Sequence, residues 1–507
     1  MVYRGQGDVG APAPARSPLS AEKKTTGGLL EHFKELWHEA TPALSHRSVE
    51  ETLECLAVAS LVGVGPRTVT TMLVNCGRQF RDWSGAYRLF SHRRFEPGAF
   101  FDVARRAVEE FVGEGEPLVG AIDDTLIRRG GRKTEAVAYR RDPLGPPFHT
   151  NLVLGQRVLQ LSVALPFGDG RVRMVPVDFV VLPSVRKPRK NAPEGHWAAY
   201  RRHKRACSLP AMSVERLRAL RQALDGDPGG RARRLVVVGD GGFTNGRILR
   251  NLPDRTVFIG RVRSDAKLYH LPKAGREGRR GRRRIYGPPA PTPEELRTDA
   301  TVPWRTARVW AAGRWHDFRY KSVAPVRWRA CSGKCLFRLV VIAPLGYRPR
   351  KGSRLLYRKA AYLMCTDPDL PVEKLIQWYV WRWDIEVNFR DEKTLLGVGD
   401  AQVRTPGSVE RVPALIVASY ALLLVAAARA YGPAGRAGEL PLPKWSRRSS
   451  CRRRATTSEL IRAMRMELWG RALGVENLSH FEHQTTRWSK SPENPLHLPS
   501  AVIYAPP

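Results

Sequence analysis

Tyr379, Arg382, Glu386 and Lys393 fall at offsets of 0, 3, 7 and 14 along one stretch of the chain. On a helix turning about 100° per residue, all four share an arc of about 60°. One carboxylate, two cations and a phenol then form a single stripe. Such a face can hold a hard metal ion and grip phosphates on either side of it. Helices more often carry groups of this kind as a solvated, salt-bridged surface. What shifts the balance is a set of acids elsewhere. The apolar run Leu118-Val-Gly-Ala-Ile closes on Asp123 and Asp124, and Leu235-Val-Val-Val-Gly closes on Asp240. A carboxylate ending so apolar a run is costly unless it is paired or binds a metal, although each Asp alone would also suit a turn or a helix cap. Open α/β sheets place ligands at strand C-termini. Carboxylates converging there on hard divalent ions make a site for in-line attack on a phosphodiester, one ion at the attacking oxygen and the other at the leaving oxygen, roughly 4 Å apart. No His or Cys accompanies the acids, so oxygen-only ligation points to Mg²⁺.

Bulk composition suggests the substrate. Lys and Arg number 85 against 48 Asp and Glu in 507 residues, a formal net charge of +37. The excess is spread along the chain, as phosphate neutralisation by dispersed cations requires. A neutral polysaccharide, the substrate of other carboxylate-pair hydrolases, matches such charge poorly. The seven cysteines are scattered, with no disulfide framework and no zinc spacing beyond the isolated Cys331/Cys335 pair. The N-terminus has no apolar secretory core, and the apolar run 413–428 is shorter than the ~20 residues a membrane span needs. A cytoplasmic protein with no membrane partner is expected.

The elements that must position these residues can be followed along the chain. Residues 1–27 are rich in Gly, Pro and Ala without periodicity and are expected to be disordered. A helical region covers 28–115, with a pattern like a helix-turn-helix around Gly63-Val-Gly-Pro-Arg-Thr. Strands at 118–127, 152–165, 172–182, 235–239 and 256–263, with helices at 214–224 and 245–252, define an α/β region over 116–263. Within it, the basic segment 186–205, with Trp197 and Tyr200 interleaved, either tracks a phosphate backbone or forms a solvated loop. Residues 264–357 break the α/β rhythm: an arginine-rich loop at 276–284 leads into Trp-rich strands, a β-rich insertion. The α/β pattern resumes over 358–431 with a strand at 362–366, one continuous helix over 371–396 stopped by Gly397, and an apolar helix over 409–431. A loop-rich basic tail fills 432–507.

The chain resembles a DDE transposase of the bacterial insertion-sequence class, in the group defined by a Tyr-x2-Arg-x3-Glu-x6-Lys signature. Tyr379, Arg382, Glu386 and Lys393 match that signature without gaps. Ala121-Ile-Asp-Asp124-Thr resembles the family's first-acid motif, in which the acid before Thr is the metal ligand. Alternation in a strand buried on both faces does not choose between Asp123 and Asp124; the resemblance chooses Asp124. Val237-Val-Gly-Asp240 resembles the second-acid strand, and Gly85-Ala-Tyr-Arg-Leu-Phe an N-terminal DNA-binding motif. The resemblance spans about residues 45–430. It implies an RNase H-like mixed sheet flanked by helices, interrupted by the β-rich insertion and preceded by an all-α DNA-binding region. Asp124, Asp240 and Glu386 would bind two Mg²⁺ or Mn²⁺ ions. Arg382 and Lys393 would hold phosphates, with Tyr379 against the DNA backbone. Relatives that form a hairpin intermediate stack a flipped base on a Trp in the strand before the signature helix, where this chain has Tyr362. The implied activity is cleavage at transposon ends and transfer of the 3′-OH into target DNA, by a homodimer on paired terminal inverted repeats. A nuclease without strand transfer and a domesticated, non-cutting DNA-binding protein are the alternatives.

Overall fold

The computed structural model describes residues 27–44, 46–142, 145, 151–168, 170–272, 284–331, 333, 335–347, 353–435, 454–475 and 497–505. Residues 1–26 of the segment expected to be disordered, all but the last residue of the arginine-rich loop, and the basic run at 447–453 lie outside these.

The N-terminal region is all helical: α1 (Leu29–Ala40), α2 (Arg47–Val62), α3 (Val69–Asn75), α4 (Ser84–Ser91) and α5 (Pro97–Glu109). Between α2 and α3, Thr68 caps the second helix by accepting from Thr71 N. The α/β region follows as β1 (Leu118–Arg128), β2 (Ala138–Arg141), β3 (Leu152–Pro166), β4 (Val172–Val181), α6 (Glu194–Ala206), α7 (Leu209–Gly226), β5 (Leu235–Gly239), α8 (Gly246–Leu249) and β6 (Thr256–Arg261). Next come β7 (Leu268–Tyr269), β8 (Pro289–Ala290), α9 (Pro293–Thr298), β9 (Arg305–Ala311), β10 (Arg314–Trp328), β11 (Phe337–Ile342), β12 (Gly346–Tyr347), β13 (Leu356–Tyr357) and β14 (Ala361–Cys365). The chain then turns helical with α10 (Val372–Trp381), α11 (Trp383–Thr394), α12 (Pro406–Tyr431), α13 (Thr457–Trp469) and α14 (Leu498–Ile503).

One 12-stranded mixed sheet runs β2-β3-β1-β5-β6-β14-β11-β10-β7-β8, with β4 added at β3 and β9 at β10. Only the β1–β5–β6 pairings are parallel. The Trp-rich strands β9, β10 and β11 therefore extend the same sheet that carries the acids, because β11 hydrogen-bonds β14 and β14 hydrogen-bonds β6. Side chains on one sheet face pack under α10 and α11; those on the other join a core shared with α12 and the N-terminal helices.

Two helices depart from the sequence reading. The signature segment is not one continuous helix: α10 ends and α11 begins at Arg382, which serves as the C-cap of the first and the N-cap of the second. The apolar helix α12 is longer than the run expected from hydropathy, at 26 residues. It has the length and composition to cross a bilayer, yet its apolar window is wholly buried within the fold. Here it is a core helix, against which α1, α2, α4, α5, β4 and α13 pack. The tail also contributes structure: Thr456 opens α13 with a reciprocal capping box to Glu459, and Leu460, Ile461 and Met464 are buried.

Candidate active site

β1 and β5 are parallel neighbours with Leu118 opposite Leu235 and Ala121 opposite Val238. Continuing that register brings Asp123 level with Asp240. Alternation along a strand decides which side chains share a face. Val119, Ala121, Val236 and Val238 belong to the core beneath α10 and α11, whereas Leu118, Ile122, Leu235 and Val237 belong to the opposite core. Asp123 and Asp240 therefore lie on the α10–α11 face and Asp124 on the other.

The contacts agree. Arg382 Nη1 donates to Asp123 Oδ2 at 2.7 Å and Nη2 to Glu386 Oε1 at 2.9 Å, so one guanidinium ties the strand acid to the helix acid. Burial pushes the Asp123 carboxyl up to about 7; Arg382 opposes the rise, and the charges of Asp240 and Asp124 add to it. The Arg382 guanidinium, although buried, is held above its usual value by Asp123, Tyr379 and Glu386. The carboxyl is raised because burial, with the charges of Asp240 and Asp124 added to it, outweighs the one guanidinium beside it.

Asp240 ends β5 as expected, and its Oδ1 accepts from Gly242 N at 2.7 Å in an Asx turn. Burial raises the Tyr379 phenol, opposed by Arg382 and Arg261 and assisted by Asp240, which places this ring among the same charges. Lys393 reaches the same face of β1 lower down, donating from Nζ to Thr125 Oγ1 at 2.5 Å. Burial lowers its ammonium. Asp240, Glu386, Tyr379, Arg382 and Lys393 thus gather around one face of the β1 C-terminal half.

Two predicted residues are not brought there. Asp124 makes a bidentate pair with Arg157 on β3, at 2.6 and 2.9 Å, and points away from Asp240. The expectation that Asp124 joins Asp240 and Glu386 gives way to Asp123, because side chains reverse face at each residue. Tyr362 fails for the same reason. On β14 its neighbours Ala361 and Leu363 face the α10–α11 side, while its own hydroxyl donates to Glu294 on α9. The other acids of the signature segment are structural. Asp384 accepts from Met174 N and pairs with Arg454, Asp391 accepts from Thr457 Oγ1 at 2.6 Å, and Glu392 is buried with its carboxyl pushed up to about 8 by desolvation. The sequence carries a signal for this placement: aligning the apolar runs that begin at Leu118 and Leu235 sets Asp123, not Asp124, beside Asp240.

The donor set fits a hard divalent ion in chemistry, being oxygen-only and including a carboxyl whose charge is poorly compensated. As arranged, no group of three or more His, Cys, Asp or Glu is close enough to hold a metal among the described residues. The cation between Asp123 and Glu386 is Arg382, standing where an ion would have to compete for the same oxygens.

The mixed sheet thus carries acids level on adjacent parallel strands, faced by a helix glutamate. Residues 39–321 match the DDE superfamily endonuclease family, more than half of the chain, and the protein belongs to that family. The match covers Asp123, Asp124 and Asp240 and ends before α10 and α11, so the Tyr379–Lys393 stripe lies beyond it. No curated protein matches the chain.

Proposed function

We propose that the protein is a DNA transposase that cleaves phosphodiesters at the ends of a mobile element and transfers the freed 3′-OH into target DNA. The observation that carries this reading is the level placement of Asp123 and Asp240 on adjacent parallel strands, with Glu386 linked to Asp123 through Arg382. Membership of the endonuclease family supplies the substrate class. Two divalent ions, Mg²⁺ or Mn²⁺, held by Asp123, Asp240 and Glu386 would supply Lewis acidity to the attacking and leaving oxygens. Arg382 exchanges its two carboxylates for a substrate phosphate as the site loads, the bidentate fork suiting either partner. Lys393, anchored at Thr125, grips a phosphate further along the strand, and Tyr379 packs against the backbone. The α2–α3 pair contacts the terminal inverted repeats, and two copies act on paired ends in the cytoplasm, at the nucleoid.

The test is cleavage of a duplex carrying the element's end in Mg²⁺, with wild type and Glu386→Ala side by side. Strand transfer is then assayed from a precleaved end. Activity retained by Glu386→Ala would remove the site assignment. Cleavage without transfer would leave a nuclease of the same family.

A further inference from the structure

Helix α6 has no buried residue. Helices in water draw most of their stability from a packed face, and α6 meets the rest of the chain mainly at α7. The stretch 183–208 that contains it carries eight Lys and Arg and a single acid, Glu194. Glu194 pairs with Arg201. Arg202, Lys204 and Arg205 are exposed on the helix, and Arg186, Lys187, Arg189 and Lys190 are exposed on the strap that leads into it. Favourable alignment with the helix dipole accounts for cations in the last turn, but not for those on the strap.

Two aromatic rings organise the cations. Trp197 and Tyr200 stack edge to face at 6.0 Å. Lys187 sits 5.6 Å over the Trp197 ring and Lys204 5.6 Å over Tyr200. Strap and helix therefore present one continuous cationic surface. Its place in the fold is fixed from the candidate active site. Arg247, on the short helix after the Asp240 turn, donates to Arg205 O at 3.2 Å and Ser208 Oγ at 3.1 Å. A cleft of about 560 Å³ opens beside this joint, lined in part by Arg218, Gln222, Arg247 and Asn251.

We infer that α6 and its strap form a backbone-binding surface for duplex DNA flanking the scissile phosphate, independent of base sequence. The inference rests on the DNA-cleaving reading above and adds to it where the duplex runs after leaving the acids. A polyanion is the partner that supplies what the helix lacks, charge neutralisation along an uncovered face.

The experiment measures affinity of the full-length protein for a duplex at several salt concentrations, comparing wild type with Arg202→Gln/Lys204→Gln/Arg205→Gln. Each phosphate contact contributes about 0.9 to the slope of log affinity against log salt, so three lost contacts make it shallower by about 2.7. Between 50 and 200 mM salt, the affinity lost by the variant is then about 40-fold smaller than the affinity lost by wild type. The charge-retaining Arg202→Lys/Arg205→Lys variant keeps the wild-type slope. An unchanged slope in the glutamine variant, in a protein that binds and cuts duplex normally, overturns this inference alone. Wild type that binds duplex without cutting it overturns the cleavage reading, and the slope still decides the role of α6. Wild type that binds no duplex overturns both.

Discussion

Replacing Asp123 and Asp124 separately by Asn should split activity from stability in opposite directions. Asp123→Asn keeps the shape of the side chain but removes a carboxylate from the cluster facing Asp240 and Glu386. Loss of one preorganised charge at a reacting phosphate costs about 10²–10³-fold in rate, or about 3–4 kcal/mol of barrier. The same change relieves the folded state. A carboxyl raised from the ordinary 3.8 to about 7 is ionised in the folded protein at a cost of between about 1 and 4 kcal/mol above pH 7. The sign follows from the direction of the shift. Well below pH 3.8 both states are protonated and the variant gains nothing; the gain grows as pH rises from about 4 to about 7 and is complete above that. Asp124→Asn does the reverse, removing the bidentate partner of the half-exposed Arg157 at a cost of about 1 kcal/mol while cleavage stays within about tenfold of wild type, because its face of the sheet is not the reacting one. The assays are Mg²⁺-dependent cleavage of an end duplex and thermal melting at pH 4.5 and pH 8. Abolished cleavage in Asp124→Asn, with normal cleavage in Asp123→Asn, would refute the face assignment. A lower melting temperature for Asp123→Asn at pH 8 would refute the account of its charge.

Glu392, buried and pushed up to about 8, should make the fold lose stability as pH rises from about 4.5 through 8; Glu392→Gln flattens that dependence and raises the melting temperature at pH 8, by a few kcal/mol of stability. Tyr362→Phe breaks the hydroxyl contact to Glu294 on the far face of the sheet, so end cleavage should change less than about twofold, and a large loss would return Tyr362 to the reacting face. Lys393→Ala should weaken duplex binding and lower the salt slope by about 1, read in the same titrations as the α6 variants; an unchanged slope would exclude phosphate contact there.

Much of this site is legible in one dimension because apolar runs ending in acids and a helical stripe of charges are local patterns. Asp240, Glu386, Arg382, Tyr379 and Lys393 are read that way, and the fold gathers them at one face of the sheet. What stayed hidden depends on pairing between distant segments. Aligning the two apolar runs suggests that Asp123 is level with Asp240 but only the β1–β5 pairing fixes that register, and only the packing of Ala361 and Leu363 on the α10–α11 side shows that Tyr362 faces away. The joint at Arg382 was equally out of reach: no Pro or Gly marks it, and helix propensity through Trp381-Arg382-Trp383 gives no warning. The α6 stretch was open between loop and phosphate track because a segment without an apolar face carries no period to read. The Trp-rich strands join the same sheet only through the pairing of β11 with β14, which no local pattern shows.

The burial of α12 has a consequence for how the chain is made. Arg411 on this helix donates to Phe90 O and Phe95 O, and Arg429 pairs with Glu39 and Glu110. Arg465, further on still, donates to Val62 O and Gly63 O at the end of α2. Helices α1 to α5 emerge from the ribosome with the apolar faces that α12 covers still open. At about 5–20 residues per second, the stretch between the end of α5 and the end of α12 takes roughly 15 to 60 s to synthesise. Until then the N-terminal helices wait for their core, and a gene truncated before α12 yields no folded N-terminal fragment. Such remnants of the reading frame would be degraded rather than persist as competitors of the full-length protein.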